Sequence, residues 1–473
     1  MTAQDHHSTD LQRNLTNRHL QLIAIGGAIG TGLFMGSGKT ISLAGPSILI
    51  IYMIIGTMVF FLMRALGEML LSNLNYKSFV DMAYDLLGPG VGFYVGWTYW
   101  LGWVFVGMAD LTAVVSYLTF WLPAGASFSP IDQALISAGC VIFLLLLNLL
   151  TVKLFGEVEF WFAIIKIVAI IALIIAGAYM VATHYTSPGG SVASISNIWS
   201  HGGMFPNGVN GFLAGFQIAI FAFIGVELVG TTAAETKDPT KNLPKAVNSI
   251  PVRVILFYVL SLVVVMSVTP WTEVKADRSP FVELFLMAGI PTAAVIMNLV
   301  VLSSVMSSMN SGIFSTSRMM FGLSRDAQAP KMMSFLTKSG VPANGLLFSC
   351  ACIMGGSLLQ YFVPNTIEAF TLAGTLCTIL FISVWIIILL CYIRYRKSRP
   401  ELHTASSFKM PGGVFMSYVV IIFFVFTIGI LSLEDDTRRS LVVSPIWLLV
   451  LAIGYFGFYK PRIKNQNTPT KKF

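Results

Sequence analysis

The chain has 473 residues, of which 56% are hydrophobic and only 11% are charged, and its formal net charge is +8. Because soluble domains carry about 25% charged residues, this composition excludes a soluble globular enzyme and predicts an all-α polytopic membrane protein. The positive charges lie between long apolar runs, so membrane topology accounts for them without a nucleic-acid partner.

Twelve runs of roughly 20 apolar residues follow one another along the chain, each long enough to cross a bilayer as a helix. The predicted membrane spans are 19–43, 47–71, 91–121, 131–151, 156–182, 209–235, 247–269, 290–322, 345–362, 367–395, 412–433 and 443–459. Polar tails are predicted over residues 1–18 and 460–473. No secretory signal peptide is expected, because the N-terminal tail is polar and no small-residue cleavage site follows the first apolar run.

The first span is interrupted by glycines, since Gly26, Gly27, Gly30 and Gly32 fall within seven residues. Each glycine in a helix interior costs about 1 kcal/mol relative to alanine, so the helix is expected to unwind at mid-depth. Unwound backbone is tolerated in a bilayer only where protein or water satisfies it, and free N–H groups at a helix start favour an anion. This pattern predicts half of a binding site for a small carboxylate. The alternative is a packing seam of small residues, such as Gly26 with Gly30.

The sixth span, 209–235, is interrupted in the same way at residues 223–227. Paired broken helices in corresponding positions of two halves are typical of a transporter site at the membrane midplane. Because the two breaks are five spans apart, residues 19–182 and 209–395 are predicted to form two inverted repeats. The last two spans, 412–459, stand outside this five-plus-five scheme.

The distribution of lysine and arginine predicts the orientation. With the N-terminus inside, the cytoplasmic segments hold 22 of the 29 lysines and arginines and the outer segments hold five. This bias places both termini in the cytoplasm. Arg64, inside the second span, is predicted to pair with Glu68 one helical turn away.

Lys166 lies about ten residues into the fifth span, with no acidic residue three or four positions away. Burial favours the uncharged form of a lysine, so Lys166 is a candidate for a group that binds and releases a proton. Its functional interpretations are proton coupling and a fixed ammonium in a site that would otherwise take Na⁺. The alternative is a lysine whose side chain extends to the cytoplasmic interface.

Two acids and a phenylalanine are further candidates. Asp110, in the third span, is either a pocket residue or the partner of a cation on another span. Glu227, at the sixth-span break, is a gate, a proton carrier or a partner for a substrate ammonium; alternatively its carboxylate accepts N–H groups freed by the break. Phe223 is a candidate gate over the substrate. The eighth span carries a polar set that either lines a path or bonds to other helices: Ser303, Ser304, Ser307, Ser308, Asn310, Ser311, Ser315, Thr316 and Ser317.

Cysteine and histidine positions predict no cofactor. All five cysteines lie within apolar spans, and all six histidines lie at or outside span ends. The pattern therefore predicts neither a disulfide framework nor a metal site.

Several stretches of the chain carry a resemblance to a known family. They include NLTNRHLQLIAIGGAIGTGLFMGSGKTISLAGPS (14–47), TVKLFGEVEFWFAIIKIVAI (151–170) and FQIAIFAFIGVELVGTTAAETKDP (216–239). In these stretches, and over essentially its whole length, the chain resembles the amino-acid permeases of the amino acid–polyamine–organocation superfamily. The resemblance implies a five-plus-five inverted repeat with two extra helices, and proton-coupled amino-acid uptake by alternating access.

The resemblance also implies residue roles. The backbone N–H groups of Gly30, Thr31 and Gly32 would bind the substrate carboxylate. The substrate ammonium would be bound by the carbonyl groups of Ile23, Gly26, Phe221, Ala222 and Ile224. Lys166 matches the lysine of the proton-coupled members, and Glu227 matches an acidic residue at the sixth-span break of several members.

The predicted function is proton-coupled import of small neutral amino acids across a bacterial inner membrane, without enzymatic activity. If backbone groups bind the carboxylate and the ammonium, the side chain is selected only by the space available beside them. This suits small side chains in either the D or the L configuration. The alternatives are a permease for another neutral L-amino acid, a channel and a non-transporting amino-acid sensor. The expected partners are the substrate, the proton and the lipid bilayer, and no oligomeric state follows from the sequence.

Overall fold

The computed structural model describes residues 29–76, 78–123, 125–150, 152–231, 238–363 and 365–462. Within these ranges the chain is helical and forms no β-sheet, and an isolated β-bridge joins Thr186 to Val192. The all-α fold class predicted from the composition is therefore confirmed.

The α-helices of the described residues are numbered in chain order. The first ten are α1 (Thr31–Phe34), α2 (Gly36–Ala44), α3 (Ile48–Ser72), α4 (Phe79–Leu87), α5 (Pro89–Leu118), α6 (Pro130–Leu150), α7 (Val152–Ala182), α8 (Gly208–Ala219), α9 (Leu228–Thr231) and α10 (Pro239–Asn248). They are followed by α11 (Ile250–Arg253), α12 (Ser261–Val268), α13 (Pro280–Met287), α14 (Pro291–Arg325), α15 (Ala343–Ile353), α16 (Gly355–Phe362), α17 (Thr366–Ser398), α18 (Pro400–Ala405), α19 (Gly413–Ile430) and α20 (Asp435–Gly454).

Ten helical stretches among the described residues are long and apolar enough to cross a membrane. They match the predicted spans other than the first and the sixth, which are the two interrupted by glycines. The first predicted span is described from residue 29 onward, and the sixth divides into α8, a short 3₁₀ helix over Ile220–Phe223 and α9. The twelve-span count and the inverted repeat stay predictions.

The inside of the bundle is built around α5, which packs along α14 and α17. Most of α5 and α17 is buried, whereas α20 is exposed over most of its length. The exposed side chains of α20 are apolar, as in Val442, Ile446 and Leu449. Apolar surface of this kind is expected where a helix contacts lipid, because lipid tails are as apolar as leucine.

The predicted pairing of Arg64 with Glu68 is wrong. The Arg64 guanidinium lies 3.8 Å from the ring centroid of Phe408 and donates a hydrogen bond to Asn248 Oδ1 at 3.0 Å. An i,i+4 ion pair contributes only about 0.2–0.5 kcal/mol, so tertiary partners readily replace it.

Glu68 instead holds residues 399–412, which we call the return segment because it folds back onto the end of α3. The Glu68 carboxylate is buried and accepts hydrogen bonds from the Tyr392 hydroxyl at 2.8 Å and the Met410 N–H at 2.7 Å. It also bonds Nδ1 of His403. One carboxylate therefore joins α3, α17 and the return segment.

A second contact joins the return segment to α4. Arg399 donates a hydrogen bond to Asp85 Oδ2 at 2.6 Å and another to the Tyr76 hydroxyl at 2.8 Å. The Tyr76 hydroxyl itself donates to Asp85. The connection between α3 and α5 is thereby fixed to the end of α17.

Candidate binding site at the two helix breaks

The first break is described from Ile29 onward, so the predicted contributions of Ile23 and Gly26 lie outside the described residues. Gly30 has an extended backbone and precedes the first turn of α1. Its carbonyl accepts hydrogen bonds from the N–H groups of Leu33 at 3.1 Å and Phe34 at 3.2 Å. A helix therefore starts at this point, and the N–H groups of its first residues have no partner within the helix.

The second break follows α8. The chain passes through the 3₁₀ turn Ile220–Phe223, becomes extended at Ile224 and takes a positive φ of 102° at Gly225 before α9 begins. Only glycine adopts that backbone conformation without strain. The break is therefore encoded by the glycine that interrupts the sixth predicted span.

The two breaks touch each other. A Cβ atom added at Gly32 would lie 2.5 Å from Ala222 Cα and 2.6 Å from Ala222 N. Because both neighbours are backbone atoms, no side chain can be accommodated at residue 32 without separating the two segments. The sequence predicts the two interruptions, and the structure places them in direct contact.

A small cavity lies where the breaks meet. Six of the predicted binding residues line it: Gly30, Thr31, Gly32, Phe221, Ala222 and Ile224. The remaining wall comes from Trp103 and Val106 of α5 and from Ser308 of α14. Residues 103 and 106 are three apart and lie on one face of α5, so this face of the helix closes the side of the cavity.

One of the predicted ammonium-binding carbonyls already has a partner. The Tyr258 hydroxyl donates a hydrogen bond to the Ala222 carbonyl at 2.7 Å. Tyr258 belongs to a π-helical stretch over Val254–Leu260, a local irregularity that is frequent at functional sites. Because a carbonyl oxygen has two lone pairs, Ala222 can accept a second hydrogen bond from a ligand.

Phe223, the predicted gate, does not belong to the cavity wall. Its ring stacks on Tyr258 with the centroids 5.0 Å apart and meets Tyr52 edge-on at 5.7 Å. Phe221, two residues earlier, lines the cavity together with Trp103, and its ring packs against Phe370.

Lys166 bonds to the first break. Its side chain is fully buried, and Nζ donates to the Ile29 carbonyl at 3.1 Å and to Ser307 Oγ at 3.2 Å. The Ser304 hydroxyl donates to the same Ile29 carbonyl at 3.0 Å. The ammonium therefore holds the residue immediately before Gly30, and it lies inside the helix bundle.

Asp110 and Glu227 bond to different breaks. Asp110 is buried and accepts a hydrogen bond from the hydroxyl of Thr31, so it contacts the cavity through Thr31. Glu227 accepts the Gly225 N–H at 3.1 Å and the Tyr99 hydroxyl at 3.3 Å. The first of these bonds is the one expected if the carboxylate satisfies an N–H group that the break has freed.

One further buried acid, Glu159, is not among the residues that the sequence pattern predicts. It accepts hydrogen bonds from Ser307 Oγ and Asn310 Nδ2, both at 2.7 Å. Glu159 lies seven residues before Lys166 and therefore on the same face of α7, two turns away. A spacing of seven residues, like one of three or four, therefore indicates a possible acidic partner for a buried lysine on the same helix.

Among the residues that the structure describes, no three His, Cys, Asp or Glu side chains are grouped so as to hold a metal ion. The five cysteines, all of them described, are free thiols.

Comparisons with known proteins find amino acid permeases and transporters that match nearly the whole chain. The family profile for amino acid permeases matches residues 19–467. The D-serine/D-alanine/glycine transporter of Escherichia coli (strain K12) is 59% identical over 452 residues, which are 96% of this chain and 95% of that protein. The amino-acid permease AapA of Bacillus subtilis (strain 168) is 50% identical over 445 residues, 94% of each chain. The probable threonine/serine transporter YbxG of the same strain is 40% identical over 449 residues, 95% of each chain.

Proposed function

Because this chain belongs to the amino acid permease family, we propose that it imports small neutral amino acids together with protons. It is a multi-pass membrane protein and an amino acid permease. Its proposed substrates are glycine, D-alanine and D-serine, which are named for the 59% identical relative. Its proposed location is the bacterial inner membrane, with both termini in the cytoplasm.

The observation that carries this proposal is the meeting of two helix breaks at one cavity. The N–H groups of Gly30, Thr31 and Gly32 bind the substrate carboxylate, because a helix start combines free donors with the positive end of a dipole. The carbonyl groups of Phe221, Ala222 and Ile224 bind the ammonium, with Ile23 and Gly26 completing the set. Both ends of a zwitterion are thus bound by backbone atoms.

The cavity wall supports small substrates. Two residues with large side chains, Trp103 and Phe221, line the cavity beside the breaks, and Gly32 lies directly against Ala222. A substrate with a hydrogen, methyl or hydroxymethyl group on its α-carbon requires little room between these walls. The wall therefore supports small side chains of either hand over an aromatic one.

Lys166 supports proton coupling. Its Nζ bonds the Ile29 carbonyl next to the carboxylate-binding residues, so loss of its proton removes a positive charge beside the first break and weakens this hydrogen bond. Alternating access then proceeds between conformations that differ in the protonation of this lysine. Glu227 is proposed as a second proton-binding group or as a fixed acceptor at the second break.

The test is uptake into proteoliposomes that contain the purified chain. Labelled glycine, D-alanine, D-serine and L-phenylalanine are supplied with and without an inside-alkaline pH gradient. The three small amino acids are expected to accumulate above equilibrium only with the gradient, and L-phenylalanine is expected to stay at the level of empty liposomes. Equilibration without accumulation would indicate a channel, and binding without uptake would indicate a sensor.

A permease for another neutral L-amino acid is the second candidate. It is favoured by the 40% identical relative that is named a probable threonine/serine transporter. Labelled L-serine and L-threonine in the same liposomes separate the two: uptake of these two amino acids in preference to D-alanine and D-serine would replace the first proposal with the second.

A further inference from the structure

A chain of buried polar side chains connects Lys166 to a second cavity away from the binding site. Lys166 Nζ donates to Ser307 Oγ at 3.2 Å, and the Ser307 hydroxyl donates to Glu159 Oε2 at 2.7 Å. The Ser307 oxygen therefore lies between the ammonium and the carboxylate. All three side chains are buried inside the bundle.

The chain continues on the other side of Glu159. Asn310 Nδ2 donates to Glu159 Oε1 at 2.7 Å, and Asn148 Nδ2 donates to Asn310 Oδ1 at 2.7 Å. Asn148 lines a cavity together with Ser317, Arg318 and other residues near the ends of α6, α7 and α14. The lysine and arginine bias assigns these helix ends to the cytoplasmic side.

We propose that Glu159 is a proton-relay residue that carries the coupling proton from Lys166 to the cavity lined by Asn148 and Arg318. This inference rests on the proposed function, since it supplies the exit for the proton that enters with the amino acid. The route is separate from the proposed amino-acid site, because Ser307, Glu159 and Asn310 do not line the cavity at the breaks.

The transfer is balanced at each atom. An N–H bond of the Lys166 ammonium breaks and its proton bonds to Ser307 Oγ, while the hydroxyl proton of Ser307 moves to Glu159 Oε2. Lys166 becomes a neutral amine, Ser307 regains a hydroxyl and Glu159 becomes a neutral carboxylic acid. Glu159 does not itself line the cavity, so water from the cavity must pass Asn148 and Asn310 to reach its carboxyl group. That water accepts the carboxyl proton, which restores the carboxylate.

The hydrogen-bond directions fit this step. A carboxylate only accepts hydrogen bonds, and both Ser307 and Asn310 donate to Glu159. Asn148 donates to Asn310 Oδ1 and so keeps the NH₂ group of Asn310 directed at Glu159. Ser307 is therefore the partner that can reverse its hydroxyl when Glu159 gains a proton.

The groups that face Glu159 come from three helices. On α7 itself, the positive charge of Lys166 attracts the Glu159 carboxylate. From α14, the side chains of Ser307, Asn310 and Ser311 form hydrogen bonds with it. Asn148 of α6 forms a hydrogen bond with Asn310 and not with Glu159. Asp110 of α5 interacts electrostatically with Lys166. The relay carboxylate thus lies between one cation and a set of neutral donors.

The test compares the Glu159→Gln variant with the wild-type protein, both full-length, in proteoliposomes that contain the pH dye pyranine. Counterflow of labelled glycine needs no net proton movement and is expected to persist in the variant. Accumulation driven by an imposed pH gradient is expected to be lost, together with the glycine-dependent acidification that pyranine reports. Ser307→Ala, which removes the bridging hydroxyl, is expected to show the same pattern.

Glu157→Gln is the matched control, because this partly exposed glutamate lies two residues away on the same helix. It is expected to keep both counterflow and acidification. Wild-type acidification in Glu159→Gln would overturn the relay and leave the proposed function intact. Loss of counterflow in both Glu159→Gln and Ser307→Ala would also overturn the relay, because the network would then serve only to hold the helices. Absence of glycine-dependent acidification in the wild type would overturn proton coupling and the relay together.

Discussion

Gly32 of the first break lies directly against the second break, and the hydrogen on its α-carbon faces the backbone of Ala222. A Gly32→Ala change puts a methyl group 2.5 Å from Ala222 Cα. Overpacking of this kind costs about 1–3 kcal/mol, and here it separates the two halves of the site. We expect a large loss of glycine uptake at normal expression, measured as initial rate per amount of protein in the membrane.

Gly139→Ala is the control for this change. Gly139 lies within α6, and an added Cβ would meet no atom within 4 Å. Because alanine is the better helix former, this variant is expected to transport normally. Normal transport by Gly32→Ala would contradict the close contact between the breaks.

Lys166 is the residue on which coupling is expected to depend. Lys166→Ala removes the donor to the Ile29 carbonyl and the proton that the ammonium carries. We expect exchange of labelled glycine to continue in proteoliposomes while accumulation driven by a pH gradient is abolished. Lys39→Ala is the control, because Lys39 is partly exposed and lies 3.6 Å from Asp436. Gradient-driven uptake by Lys166→Ala would show that another group couples the proton.

At the scale of the elements, the irregular stretches decide where the site lies. Glycines at residues 30, 32 and 225 are visible in the sequence, and for that reason both breaks were predicted. The π-helical turn around Tyr258 leaves no such mark, since its residues, VILFYVL, are ordinary for a membrane helix. Its position follows from packing against the second break, which only tertiary structure shows.

The Tyr258 hydroxyl gives this π-helical turn a measurable role. Tyr258→Phe removes the hydrogen bond to the Ala222 carbonyl but keeps the ring that stacks on Phe223. A hydrogen bond contributes about 0.5–1.5 kcal/mol, so KM for glycine is expected to rise about 2- to 12-fold with little change in the maximal rate. The measurement is the concentration dependence of initial uptake.

Tyr52→Phe is the matched control in the same aromatic cluster. The Tyr52 ring meets both Tyr258 and Phe223 edge-on, and its buried hydroxyl has no hydrogen-bond partner among the described residues. Its removal is expected to leave KM unchanged. An equal rise in KM for both variants would mean that the cluster responds to any lost hydroxyl.

The predictions that failed or fell short depend on contacts between distant parts of the chain. Arg64 and Glu68 have the correct spacing for a pair, yet the return segment supplies better partners to each. Glu159 has its hydrogen-bond partners, Ser307 and Asn310, on α14, and nothing in the sequence around residue 159 indicates them. Apolar spans and glycine breaks are local properties of a sequence, whereas these contacts join residues from different helices.

At the scale of the whole molecule, the return segment and α4 form a network outside the membrane spans. Burial of the Asp85 carboxyl favours its neutral form, but hydrogen bonds from Tyr76 and Arg399 and the charge of Arg399 outweigh burial, so the pKa of Asp85 is lowered. The hydrogen bond with Asp85 raises the pKa of Arg399. Because the folded pKa of Asp85 lies below the unfolded one, its contribution to stability is present above the unfolded value of about 3.9 and is lost as pH falls through the folded value.

Asp85→Asn tests this contribution. The thermal midpoint of the wild-type protein in detergent is expected to fall as pH drops below about 4, and part of that fall is expected to disappear in the variant. The effect is at most about 1 kcal/mol, because the pair is partly exposed and screened by solvent. Glu401→Gln, an exposed acid on α18, is the control and is expected to keep the full fall. An identical pH profile for Asp85→Asn and wild type would show that this network adds nothing to stability.

Glu68 has a mechanical consequence for the molecule as a whole. Its carboxylate binds Tyr392 of α17 and Met410 of the return segment, so α3 and α17 are joined both by direct packing and by a strap of covalent chain. If α3 tilts against α17, either the return segment moves with α3 or the hydrogen bonds to the buried Glu68 carboxylate break. The strap therefore limits how far this end of the bundle can open, and the length of the return segment sets that limit.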